Sequence, residues 1–149
     1  MSGFQRRLVA LGSLLGLCLA ANGCNSSASG SGCSEATLKG TYVWAYDGFQ
    51  ITGDQAAQRV PLAFAGRDVW NGDGTMTGAG SGGINGAIAR TTANGVYVLN
   101  ADCTGTLTQT DSEGVVSHWD LYVLNDGALL TYVETDEGYV ASGVEQRAS

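Results

Sequence analysis

The chain has 149 residues, 23 of them glycine, and carries a formal net charge of −7. A protein of this length is expected to form one domain around one core. Asp and Glu outnumber Lys and Arg by 14 to 7, whereas nucleic acids and anionic lipid surfaces are bound through basic patches. The composition therefore argues against both of these as partners.

Residues 1–23 have the features of a secretory signal peptide. Arg6 and Arg7 precede an uncharged apolar run, 8–20, that is too short for a stable transmembrane helix. Cleavage before Cys24 would leave this cysteine at the new amino terminus, which resembles the lipobox of bacterial lipoproteins, although Ala21 stands where that family prefers leucine. We predict an exported protein anchored to the bacterial cell envelope by lipid on Cys24, the only membrane contact expected. Soluble secretion is the alternative.

Two cysteines remain in the predicted domain, 33–149, after the leader and a Ser/Gly-rich tether, 24–32. The loss of two arginines with the leader changes the formal charge from −7 to −9. In an oxidising compartment two remaining cysteines most often pair, so we predict a disulfide between Cys33 and Cys103. A metal site or a catalytic thiol is the alternative, but neither cysteine has a His or Cys partner at short spacing.

Strand patterns dominate the domain, and helical periodicity is almost absent. Residues 49–58 are interpreted as a long loop, and 84–90 as a continuation of the third strand past a bulge at Gly82-Gly83. The short turns favour an all-β fold, an antiparallel up-and-down barrel of about eight strands, with a two-sheet β-sandwich as the alternative. The predicted strands are 38–46, 60–70, 75–83, 96–100, 105–110, 115–124, 128–134 and 139–146.

A predicted hairpin, 115–124 and 128–134, holds the only histidine of the chain. Alternation along its first strand puts a histidine, an aspartate and a tyrosine on one face. A base, an acid and a phenol on one wall of a cavity are suited to proton transfer. A glutamate in the second strand is a fourth candidate, although an acid at a strand end needs no special role. The candidate catalytic residues are His118, Asp120, Tyr122 and Glu134.

The opposite face of the first hairpin strand carries Trp119 and Leu121 and is the more apolar one. Apolar faces ordinarily turn toward the core, which would leave His118 in solvent. In a barrel with a ligand cavity, polar groups can instead face the lumen. The direction of the Trp119 side chain therefore decides between a packed or ligand-binding shell and a catalytic one.

Aromatic residues are concentrated in the first two strands. Core packing explains any one of them, but together they predict an aromatic-lined cavity. The glycine-rich strand 75–83 is expected to lie against large side chains and to leave space opposite them. The candidate ligand-binding residues are Tyr42, Trp44, Tyr46, Phe64, Trp70 and Trp119.

Several short segments, taken together, resemble a family of small secreted bacterial β domains of unknown biochemical role. These segments are 33–42, 71–75, 95–98, 102–105 and 142–143. They consist of turns, glycines and cysteines, so the resemblance implies a fold and carries no catalytic residue to this chain. In architecture such a domain looks like the lipocalin-like and allene-oxide-cyclase-like barrels, which implies a lumen for apolar ligands or for a cyclisation without a cofactor.

Three functions remain open from the sequence. The first is binding of a small, mostly apolar ligand in the lumen, and the second is a cofactor-free cyclase or isomerase in the same cavity. The third is a surface module with a filled core that acts through protein contacts. No cofactor and no metal site are predicted. The segment 71–75 has oxygen ligands at alternate positions, as calcium loops do, but it lacks the bidentate acid of such a loop. The oligomeric state is left open.

Overall fold

The structure, a computed structural model, describes residues 32–53 and 58–149. In these ranges eight antiparallel strands follow one another around a closed barrel, because the first strand pairs with both the second and the eighth. The up-and-down barrel is confirmed, and the sandwich is not found. The strands are β1 (Lys39–Thr52), β2 (Gln58–Asn71), β3 (Thr75–Ile84), β4 (Ala87–Leu99), β5 (Thr104–Asp111), β6 (Val116–Leu124), β7 (Leu129–Glu134) and β8 (Tyr139–Arg147).

The predicted signal peptide, Cys24 and nearly all of the tether lie outside the described residues. Among the residues that are described, no helix has the length and apolar character needed to cross a membrane. The only helical segments in those ranges are two short 3₁₀ turns, Glu35–Thr37 and Asn125–Gly127.

One end of the barrel, called the floor below, is filled by apolar side chains. The 3₁₀ turn Glu35–Thr37 lies against this end, where the hydroxyl of Tyr97 donates hydrogen bonds to the carbonyl oxygens of Glu35 (2.8 Å) and Leu38 (3.1 Å). The predicted disulfide between Cys33 and Cys103 is confirmed and ties the start of the domain to the β4–β5 turn, with 5.0 Å between the Cα atoms. The most deeply buried floor residues are Leu38, Tyr42, Trp70, Met76, Leu121 and Leu130.

Arg147 fastens the last strand to the floor. Its Nε donates to the Tyr42 hydroxyl at 3.0 Å, and its Nη2 donates to the carbonyl of Thr37 at 2.9 Å. The Tyr42 hydroxyl in turn donates to the carbonyl of Gly127 in the β6–β7 turn. One guanidinium therefore links the first strand, the last strand and the 3₁₀ turn below them.

Two predictions are wrong: the loop at 49–58 and the continuation of the third strand through 84–90. The predicted loop 49–58 is mostly strand: β1 continues to Thr52, with Ile51 opposite Arg59. The polar residues that suggested a loop fit this strand, because the Gln50 amide donates to the Tyr139 hydroxyl across the β1–β8 pair at 2.9 Å. Likewise 84–90 does not extend β3, because the chain reverses at Asn85 and Gly86, which both have positive φ, and enters β4.

Candidate functional site

The half of the barrel opposite the floor contains a cavity of about 400 Å³, within the size range of small-molecule sites. All eight strands contribute to its lining. It extends to the other end of the barrel, called the mouth below, where Glu113, Val115 and Asp136 from the β5–β6 and β7–β8 turns complete the lining. The filled core of the third alternative is not found among the described residues, because side chains fill only the floor.

Tyr46 lies at the centre of an aromatic wall in this cavity. Its ring stacks on Trp44, with ring centroids 5.7 Å apart, and on Phe64 at 5.4 Å. Trp119 forms T-shaped pairs with Tyr46 and with Tyr132, each with ring centroids 5.3 Å apart. The rings of Trp44, Tyr46 and Phe64 are only partly buried and line the cavity, so a ligand can reach their faces.

Glycines in neighbouring strands make room for this wall. A Cβ atom on Gly80 would lie 2.5 Å from Cη2 of Trp44, and one on Gly82 would lie 2.5 Å from Cγ of Phe64. Both glycines are in β3, which confirms that the glycine-rich strand lies against the aromatic strands. The large side chains of β1 and β2 therefore occupy the space that the glycines of β3 leave free.

Five of the six predicted ligand-binding residues line the cavity. Tyr42 does not, because it is one layer deeper and forms part of the floor. Trp70 lies at the boundary between floor and cavity. The five lining residues are Trp44, Tyr46, Phe64, Trp70 and Trp119.

Two buried carboxylates lie at the inner end of the cavity. Asp68 Oδ1 accepts a 2.8 Å hydrogen bond from the indole N–H of Trp44, and Glu145 Oε1 accepts one of 2.7 Å from Trp70. Burial raises the pKa of Asp68, and the hydrogen bond from Trp44 opposes this rise only in part. Burial also raises the pKa of Glu145, and the negative charge of Asp68 adds to the rise.

A third carboxylate, Glu134, faces the lumen nearer the mouth. Burial, together with the nearby charge of Asp136, raises the pKa of Glu134 to about 7. Burial also raises the pKa of the Tyr46 hydroxyl, with a smaller contribution from the charge of Glu134. Neutral and ionised forms of Glu134 therefore both occur near physiological pH.

The three polar candidates of β6 point away from the lumen, which corrects the prediction that they could form a catalytic wall there. Trp119 and Leu121 face inward and are 4% and 1% exposed, so the pleat of the strand turns the alternate residues outward. The His118 side chain is 51% exposed, and its Nδ1 lies 2.7 Å from Oδ1 of Asp136. Tyr122 is also exposed. The outward-facing candidates are His118, Asp120 and Tyr122.

The pair of His118 and Asp136 belongs to the rim of the mouth. Besides its contact with the ring, Asp136 accepts a 2.7 Å hydrogen bond from the backbone N–H of His118 through Oδ2. Partial burial would raise the pKa of Asp136, but the two hydrogen bonds from His118 outweigh it and lower the pKa. This contact holds the β7–β8 turn against β6.

The sequence did not indicate three residues that line the lumen: Asp68, Glu145 and Tyr132. Asp68 shares the inward face of β2 with Phe64 and Trp70. An acidic residue in such an apolar series is the sequence feature that could have indicated a carboxylate in the lumen. The inward position of Glu145 is harder to predict. The inward residues before it in β8 include Gly143, so the alternation of apolar and polar residues is weak in this strand.

Within the described part of the chain, no group of three or more His, Cys, Asp and Glu side chains is arranged to hold a metal ion. The segment 71–75 forms a tight turn between β2 and β3. In it Asp73 Oδ1 accepts hydrogen bonds from the backbone N–H (3.0 Å) and the hydroxyl (2.6 Å) of Thr75.

No protein-family model matches the sequence, and neither does any curated protein. The resemblance to secreted bacterial β domains therefore stays a prediction.

Designed barrels among the solved structures do share the fold. The redesigned barrel mFAP1, bound to DFHBI, is 16% identical, with a TM-score of 0.53 over 76% of this chain and 97% of its own. A de novo designed fluorescence-activating barrel is 13% identical, with a TM-score of 0.51 over 75% of this chain and 94% of its own. The likeness shows the fold, a closed barrel of eight strands.

Proposed function

We propose that this barrel binds a small, mostly apolar ligand in its lumen. The observation that carries the proposal is the cavity of about 400 Å³ whose wall is formed by the partly exposed rings of Trp44, Tyr46 and Phe64. Aromatic faces of this kind favour offset or edge contacts with a flat ligand. Two similar designed barrels are bound to DFHBI, which supports the use of this architecture for a small ligand.

A pair of adjacent substitutions in β4 tests the proposal. Ala93 lines the lumen, whereas Thr92 points outward and is exposed. A neutral naphthalene dye whose emission shifts to the blue in apolar surroundings serves as the probe. We expect saturable binding to the wild-type protein, a loss of at least about tenfold in affinity for Ala93→Phe, and no change for Thr92→Phe.

Thermal unfolding followed by circular dichroism establishes that both variants fold. A dye that binds Ala93→Phe as tightly as it binds the wild type would place its site outside the lumen and refute the proposal. The same conclusion follows if the wild-type protein gives no saturable response.

Catalysis in the same cavity is the second candidate. Of the four predicted catalytic residues only Glu134 faces the lumen, and its pKa of about 7 suits an acid or base. The cavity and its aromatic wall bear directly on binding, whereas Glu134 by itself identifies neither a substrate nor a reaction. Binding is therefore the function that the geometry supports better.

We also propose that the protein is exported and anchored to the cell envelope through lipid on Cys24. A disulfide between Cys33 and Cys103 fits an oxidising compartment, which supports export. Since Cys33 is at the floor, a tether from Cys24 would join the barrel at the end opposite its mouth. Membrane fractionation of cells that express Cys24→Ser tests this. We expect the variant to move to the soluble fraction, and unchanged membrane association would refute the anchor.

A further inference from the structure

The charged groups that line the lumen all have the same sign. No lysine, arginine or histidine is present among the described residues of the lining. A bound ligand therefore meets only negative or neutral groups from the floor to the mouth. The six acidic lining residues are Asp68, Asp111, Glu113, Glu134, Asp136 and Glu145.

Asp68 and Glu145 are positioned to contact one end of a ligand. Each carboxylate is held by a single indole N–H, from Trp44 or Trp70, which engages one of its two oxygens. Among the described residues these are the side-chain hydrogen bonds that the two carboxylates accept, and no fully buried polar side-chain atom lacks a partner, so the second oxygens are accessible from the cavity that both residues line. At the inner end of the cavity, two acceptor oxygens are thus available to a donor that the protein itself does not provide.

The chemistry of this arrangement selects the charge of the ligand. An ammonium group donates hydrogen bonds to carboxylate oxygens and compensates for the loss of water around a buried negative charge. The face of an aromatic ring also attracts a cation, and Trp44 lies beside both carboxylates: it bonds Asp68 and is paired with Glu145 across β1 and β8. An anionic ligand would be repelled by the same groups.

We infer that the ligand of this lumen is a protonated primary or secondary amine with an aromatic or alkyl body. The ammonium group lies at the inner end between Asp68 and Glu145, and the apolar body extends along Tyr46 and Phe64 toward the mouth. The inference rests on the proposed function, namely that the lumen binds a small, mostly apolar ligand.

The protonation of the empty cavity is consistent with this assignment. Because burial raises the pKa of both Asp68 and Glu145, the pair retains bound protons near neutral pH in the absence of a ligand. A cation that enters between them favours the ionised carboxylates. Binding should therefore release protons to the solvent.

Three probes with one body test the inference: 1-naphthylmethylamine, which is protonated at pH 7, neutral 1-naphthylmethanol and anionic 1-naphthoate. Each competes with the neutral naphthalene dye for the wild-type protein. We expect the amine to bind at least about tenfold more tightly than the alcohol, and the naphthoate to displace no dye. In Asp68→Asn and in Glu145→Gln, the advantage of the amine over the alcohol, measured in the same variant, should fall below about threefold.

Asp47→Asn is the matched control, because Asp47 lies on the outer, exposed face of β1 and the substitution likewise replaces a carboxyl group by an amide. The advantage of the amine should persist in this variant. A second measurement needs no variant. Calorimetry of the wild-type protein in two buffers with different ionisation enthalpies should detect proton release with the amine and none with the alcohol.

The outcomes separate this inference from the proposed function. If dye, alcohol and amine bind the lumen with equal affinity, the barrel binds apolar ligands and the inference is wrong. If an advantage of the amine survives in both variants, or if no proton is released, the assignment to Asp68 and Glu145 is wrong. If the dye fails to bind the wild-type lumen, the proposed function fails and the inference fails with it.

Discussion

The indole N–H of Trp70 donates a 2.7 Å hydrogen bond to the carboxylate of Glu145 through the interior of the barrel. Trp70 is on β2 and Glu145 on β8, the two strands that flank β1. Both side chains are almost completely buried, at 1% and 2% exposed. A carboxylate in such surroundings is more stable when protonated, so the stability of the fold depends on the pH.

The first prediction concerns this pH dependence. In the folded barrel the pKa values of Asp68, Glu134 and Glu145 are raised, mainly by burial, and they return to their ordinary values near 4 on unfolding. Between about pH 4 and pH 8 the folded state therefore binds more protons, and its stability falls as the pH rises. We expect the free energy of unfolding in urea to be greater at pH 5 than at pH 8. The two buried groups, Asp68 and Glu145, contribute at most about 1.4 kcal/mol each per pH unit, and the more exposed Glu134 contributes less.

Glu145→Gln isolates one of these groups. The amide oxygen can still accept the hydrogen bond from Trp70, but the side chain no longer titrates. The decrease in stability between pH 5 and pH 8 should be smaller in this variant, and unchanged in the surface variant Asp47→Asn. An equally steep decrease in Glu145→Gln would contradict the assignment.

The barrel could be predicted from the sequence because inward and outward residues alternate along most strands. Tyr42, Trp44 and Tyr46 in β1 are inward, and Val43 between them is exposed, as expected for a half-buried strand. The short turns then favoured neighbouring strands as partners. The same alternation correctly gave the face of β6 that carries Trp119 as the apolar one.

Two Asn-Gly dipeptides show where local signals are insufficient. Asn85-Gly86 forms the turn between β3 and β4, with φ of 49° and 83°. Asn94-Gly95 carries the same turn signal but lies within β4, where a Cβ atom on Gly95 would lie only 2.8 Å from Met76 Sδ and from Leu107 Cδ1. Packing between distant strands requires that glycine, and such packing cannot be read from the dipeptide itself.

The acidic inner end of the lumen could not be predicted for a related reason. Asp68 and Glu145 are 77 positions apart, on strands that are not adjacent in the chain or paired in the sheet. Only the closure of the barrel brings both carboxylates to the cavity. His118 was conspicuous in the sequence as the single histidine, but its rarity carried no information about its direction.

The disulfide leads to a second prediction. It closes a loop with a sequence separation of 70, so its removal should lower the free energy of unfolding by about 4 kcal/mol in the chain-entropy model. The double variant Cys33→Ser, Cys103→Ser should therefore unfold at lower denaturant concentration than the oxidised wild type. Reductant should shift the wild type toward the variant and leave the variant unchanged. A double variant as stable as the oxidised protein would show that the floor is held without the bridge.

Arg147 is the subject of a third prediction. Arg147→Met removes the hydrogen bonds to Tyr42 and Thr37, and hydrogen bonds from charged groups contribute about 1.5–3 kcal/mol each. Because Arg147 is only partly buried, we expect a loss smaller than the sum of the two, about 2–4 kcal/mol in chemical denaturation. Arg147 does not line the lumen, so the affinity for the naphthalene dye should be preserved. Arg90→Met, at an exposed position of β4, is the control and should unfold like the wild type.

The fourth prediction tests the fit between β3 and the aromatic wall. In Gly80→Ala the added methyl would lie 2.5 Å from Trp44, so the indole must move and weaken its hydrogen bond to Asp68. We expect a loss of about 1–3 kcal/mol in stability, as for other overpacked interiors, together with weaker dye binding.

Gly83→Ala is the matched control in the same strand, because the nearest atom to its added methyl, the carbonyl oxygen of Ala87, is at an ordinary contact distance of 3.5 Å. Since alanine also restricts the unfolded chain, Gly83→Ala should be at least as stable as the wild type. Equal effects of the two substitutions would mean that the position of the Trp44 indole does not depend on the missing side chain at position 80.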